Sequence, residues 1–172
     1  MALSKYDRAI EFYRELGQSP WKDYQLNAII LEANALTIQK KYGDALTQYV
    51  TASQENISGL AADRLKVLAK IGQATCLAET GKPDEGIRIT DEVLDKLDRD
   101  DFELHAKAYN ARGACFRNSN KIKDALLAYL HTDLLYFRQS DAHAEALFYL
   151  SALWEQDAKR ERAVKSRKLL QS

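Results

Sequence analysis

Proline and glycine are scarce, at two and seven of 172 residues. Helix breakers this rare suit an all-α chain. Long apolar runs are missing too: no stretch approaches the ~18 consecutive apolar residues of a membrane span. Net charge is absent, with 25 Lys+Arg against 25 Asp+Glu. Phosphate binding normally needs a basic surface, so nucleic acid is not expected as the main partner. No Gly-rich phosphate loop, nucleophile elbow or Cys/His zinc spacing occurs, and the chain offers no catalytic argument. No enzyme activity, cofactor or metal is expected.

The few reactive side chains read as structural. Cys76 and Cys115 stand about one repeat apart, which puts them beyond the ~7 Å Cα limit of a disulfide and predicts buried free thiols. His105, His131 and His143 lack a partner at the i+4 spacing that puts two metal ligands on one helix face. Asp84, Asp91 and Asp95 read as a solvated stripe. Residues 84–103 hold nine acidic and three basic side chains, and 159–172 hold six basic and one acidic. These are either solvated outer faces or surfaces for head-to-tail contact.

What the chain does contain is one segment written five times. KYDRAIEFYREL (5–16), KYGDALTQYVTA (41–52), KPDEGIRITDEV (82–93), KIKDALLAYLHT (121–132) and KRERAVKSRKLL (159–170) share an opening lysine. Each has a tiny fifth residue (Ala9, Ala45, Gly86, Ala125, Ala163) and an aliphatic sixth (Ile10, Leu46, Ile87, Leu126, Val164). Twelve residues before each small position, from the second copy onward, stands another: Ala33, Ala74, Gly113, Ser151. Nine before it stands a large apolar one: Leu36, Leu77, Phe116, Trp154. Self-similarity at this period marks stacked repeats, and the small residues allow two helices to cross at the ~8–10 Å of close packing.

The reading is therefore all-α, with about nine helices in one domain over 1–172. A half repeat covers 3–17, and full repeats cover about 20–56, 59–98, 101–139 and 141–171. Pro20 should open the second helix, an Asp100…Glu103 capping box the sixth, and Ser140 should cap the eighth. Tyr13, Tyr49 and Tyr129, four residues after the small position, read as packing. Arg112 requires a carboxylate or carbonyl partner, as a structural ion pair or as part of a pocket. The start resembles a second helix without its first, as in a fragment. The compartment is left open: cytoplasmic by default, exported if an upstream targeting segment was removed.

The pattern of small and large residues in the first helix, then small–aliphatic and often aromatic in the second, resembles the tetratricopeptide repeat over roughly 5–170. The units here are longer than that family's ~34 residues. The resemblance implies a right-handed α-solenoid of antiparallel helix pairs whose first helices line a concave groove. Carried over residue by residue, the partner-binding positions are Asn27, Ile30 and Asn34, then Ile71 and Thr75, then Lys107, Asn110 and Arg117, and finally Phe148. Asparagines facing a groove suit an extended peptide, since one amide both donates and accepts. A carboxylate clamp is disfavoured, because Ile30 stands where its lysine would be. The implied function is a non-catalytic module binding a protein or peptide. The alternatives are a scaffold segment or homo-oligomer stacking through its ends, and an RNA-binding helical-repeat protein.

Overall fold

The computed structural model describes residues 2–171, with side chains from Lys5 onward. Nine helices and no strand occur among these residues. They are α1 (Ala2–Leu16), α2 (Lys22–Ile38), α3 (Tyr42–Gln54), α4 (Leu60–Glu79), α5 (Pro83–Lys96), α6 (Phe102–Asn118), α7 (Ile122–Leu135), α8 (Ser140–Gln156) and α9 (Arg160–Gln171). Each packs against its neighbours in sequence. The even-numbered helices also touch one another in order, α2 to α4 to α6 to α8, whereas among the described residues no odd-numbered helix touches another. The molecule thus has an inner row of contiguous helices and an outer row of separated ones.

The small residues sit where the helices cross. Ala33, Ala45, Ala74 and Ala125 are fully buried, and Ala163 and Ser151 nearly so. At Gly86, a Cβ would lie 2.8 Å from the Ala74 carbonyl oxygen and 2.6 Å from Cys115 Sγ. A larger side chain would push three helices apart, which typically costs ~1–3 kcal/mol. Both cysteines are free and buried; burial pushes the Cys76 thiol up to about 11 and Cys115 to about 12.

The turns leaving the inner row repeat as well. Lys40, Gly81, Asn120 and Ala158 all adopt positive φ, and each directly precedes a repeat-opening lysine. The lysine N–H then reaches back to the large apolar residue: Lys41 to Leu36, Lys82 to Leu77, Lys121 to Phe116 and Lys159 to Trp154. These six-to-one bonds close the helix ends in the Schellman manner. Only one of the four positions uses glycine, so the turn is not conspicuous in composition.

Three expected helix starts shift. α2 begins at Lys22 rather than Pro20, because Ser19 Oγ accepts from Trp21 N and forms a local turn ahead of the helix. α8 starts at Ser140 itself, after a Gln139 that makes no capping bond. At α6 the cap is Asp101, whose carboxylate accepts from Leu104 N at 3.1 Å; Glu103 turns away to Arg64 and Lys107. Pro83 opens α5 as expected.

Candidate functional site: the inner-row groove

Four inner helices and one outer side chain enclose an open hollow of about 280 Å³. α2 contributes Ile30, Asn34 and Thr37; α4 contributes Leu68, Ile71, Gly72 and Thr75; α6 gives Lys107, Asn110 and Ala111; α8 gives Glu145. Six of the nine projected residues, Ile30, Asn34, Ile71, Thr75, Lys107 and Asn110, therefore meet in one place. Leu68 is shared with a flanking hollow lined by Asn27, Tyr24, Arg64 and Leu65, and Lys107 with another beside Glu103 and Asp141. The three form a single path across the inner row.

The remaining projected residues lie elsewhere. Asn27 lines the first flanking hollow. Arg117 is occupied: its Nη2 donates to Glu79 at 2.7 Å and its guanidinium lies 4.7 Å from the Tyr149 ring centre. Phe148 sits on the open side of α8 and is 57% exposed.

The polar groups of the hollow are ordered by hydrogen bonds. Asn110 is 2% exposed, and its Nδ2 donates to the Ala142 carbonyl at 2.8 Å and to Glu145 Oε2 at 3.0 Å. Its Oδ1 is buried without a partner. The Glu145 side chain as a whole stays exposed, yet its carboxyl end is crowded against α6. Desolvation raises its pKa above the ordinary carboxylate value, against the Asn110 bond and the field of Arg117. Lys107 pairs with Glu103 at 2.6 Å and, by that hydrogen bond, lowers the Glu103 pKa. Arg64 ties α4 to α6 through Asp101 and Glu103.

Tyr49 packs in the core as its repeat position predicts, at 3% exposure, but sequence reasoning did not foresee that it also reaches the hollow. It belongs to outer helix α3, yet its ring passes over Gly72 and its hydroxyl donates to Asn34 Oδ1 at 2.6 Å, inside the hollow. Burial pushes its pKa up to about 12. A Cβ at Gly72 would stand 2.4 Å from the ring. The available signal was Gly72 itself: a glycine inside a helix costs ~1 kcal/mol against alanine and usually has a packing reason.

Other candidates resolve into structural roles. Arg112 pairs with Asp91 at 2.9 Å and lies over the Phe116 ring, at the edge of a separate hollow between α6 and α7. Asp84 pairs with Lys121, so two of the three stripe aspartates join successive repeats. His143 bonds Asp133, while His105 and His131 meet backbone carbonyls within a stack of rings around Tyr109 and Tyr136. No His/Cys/Asp/Glu group arranged to hold a metal ion, and no helix long and apolar enough to cross a membrane, occurs among the described residues. A scan against protein-family models and a search of curated proteins both return no match.

Proposed function

We propose that this chain is a non-catalytic, tetratricopeptide-like interaction module that holds an extended protein segment along its inner row. The observation that carries the reading is the hollow itself. It draws lining residues from α2, α4, α6 and α8, one helix of each repeat, at the positions the family resemblance implies. The row whose helices touch is the shorter one and so forms the inside of a curved stack, to which the family resemblance alone gives a right-handed turn. Asn34, Thr37, Thr75 and Asn110 supply polar groups between apolar Ile30, Leu68 and Ile71. That mixture suits a peptide backbone flanked by aliphatic side chains.

The test is a pair of obstructions. Peptides selected from a displayed random library against the wild-type chain are titrated against Thr75→Arg, which fills the hollow, and Thr51→Arg, on the exposed side of α3. Thr75→Arg is expected to weaken binding about tenfold or more, the ~1.4 kcal/mol of one lost anchor, with Thr51→Arg unchanged. Equal binding by both removes the groove from the reading.

Association through the ends is the second reading, favoured by one contrast. Ile71 is 6% exposed between α4 and α6, whereas Phe148, 77 positions on at the equivalent place of the last repeat, is 57% exposed. Val164 and Leu170 are exposed nearby on α9. Light scattering over a range of concentrations distinguishes a stacking scaffold from a monomeric module.

A further inference from the structure

Donors in the central hollow are already engaged, and acceptors are left over. The Tyr49 hydroxyl donates to Asn34, and the Thr37 and Thr75 hydroxyls donate to the Ala33 and Ile71 carbonyls. Lys107 donates to Glu103, and Asn110 Nδ2 to Ala142 and Glu145. Asn34 Nδ2 and the two remaining hydrogens of the Lys107 ammonium are the exceptions. On the acceptor side, Asn110 Oδ1 is buried with no donor, although such groups in folded proteins are nearly always paired. Glu145 is in the same position with respect to charge. The inner-row cations Arg64, Lys107 and Arg117 are held by Asp101, Glu103 and Glu79, and among the described residues none lies within ion-pair distance of Glu145.

We infer that the segment bound here carries a lysine or arginine whose cationic head sits on the Glu145 carboxylate, next to the Asn110 amide that holds it, an inference that rests on the groove being a peptide site. An ammonium offers three donors and a guanidinium five, with no acceptor to conflict with the surplus already present. The Glu145 carboxylate spends one oxygen on Asn110 and keeps lone pairs free, so an incoming cation would form charge-assisted bonds with it. Ile30, Leu68 and Ile71 offer apolar surface for the methylene stem. The path continues past Leu68 on one side and Lys107 on the other, so it accommodates residues before and after the basic one. A short free polyamine would leave those flanks empty.

The test uses degenerate heptapeptide pools, blocked at both ends and composed of uncharged residues except at a fixed centre of Lys, Arg, Gln or Glu. Binding to the full chain is read by fluorescence anisotropy with a neutral dye. The Lys and Arg pools are expected to bind about tenfold tighter than the Gln pool, as one charge-assisted bond allows, with the Glu pool weakest. Glu145→Gln should bring the Lys and Arg pools to within about twofold of the Gln pool, a residue left unpaired no longer discriminating. Its melting temperature serves as the check on folding. Equal binding of the Lys and Gln pools overturns the cation site while leaving the groove reading intact. A preference that survives Glu145→Gln also overturns it, since the cation then sits elsewhere. Failure of every pool to bind overturns the groove reading itself.

Discussion

Tyr49 and Tyr129 hold the same place in their repeats, four residues after a small alanine, yet they belong to different parts of the molecule. Tyr49 faces Gly72, reaches the hollow and bonds Asn34. Tyr129 faces Tyr149 at the corresponding position two repeats on, stacks on it at 5.2 Å and is wholly buried. No hydrogen bond of good geometry reaches its hydroxyl, and the Arg117 guanidinium lies beside it. One residue on the following inner helix decides between the two outcomes. With glycine there, the hydroxyl of a buried ring reaches the hollow; with tyrosine there, the ring is stacked and closed over.

The contrast can be broken most forcefully at Tyr129. Truncation to alanine removes a fully buried ring and should cost ~3–5 kcal/mol, measured by urea unfolding; a loss near 1 kcal/mol would show that the ring is not core. Gly72→Val is next. Its side chain would meet the Tyr49 ring and should cost ~1–3 kcal/mol, with a change in Tyr49 fluorescence or ring resonances as the ring leaves Asn34. The hydroxyls then sharpen the comparison, because the two predicted effects differ in size. Tyr49→Phe loses a well-formed hydrogen bond and should cost ~0.5–1.5 kcal/mol, whereas Tyr129→Phe removes a hydroxyl that has only the neighbouring Arg117 guanidinium beside it and should cost less. Equal losses at both sites would mean that Tyr129 is bonded after all. The smallest effect concerns the repeated turns: Ala158→Gly relieves a left-handed backbone and should stabilise by about 0.5–1 kcal/mol, read as a raised melting temperature.

Much of this was legible in the sequence, for a specific reason. Helix crossings demand small residues at fixed spacing, so Ala33, Ala74, Gly113 and Ser151 announced the pairs and are all buried. Asn34, Thr75 and Asn110 line one hollow because residues on one helix face stay together whatever surrounds them. The projection was less informative for Arg117, since a long side chain goes to whichever carboxylate lies within reach, here Glu79 from the preceding repeat. The reach of Tyr49 into the hollow was missed because it depends on Gly72, 23 positions away, and no property of the tyrosine alone reveals it. The shifted start of α2 has a local cause: the Ser19 hydroxyl engages a nearby backbone N–H in a turn ahead of the helix.

The outer helices stand apart from one another, and this has a mechanical consequence. Each outer helix is nevertheless seated between two successive inner ones, so opening or narrowing the hollow turns α3, α5 and α7 in those seats, while no contact between outer helices has to be broken. The ion pairs Arg64 with Asp101 and Arg117 with Glu79 cross the same seams between successive repeats. The chain is built like a leaf spring clamped along one edge, its free leaves joined only through the clamp.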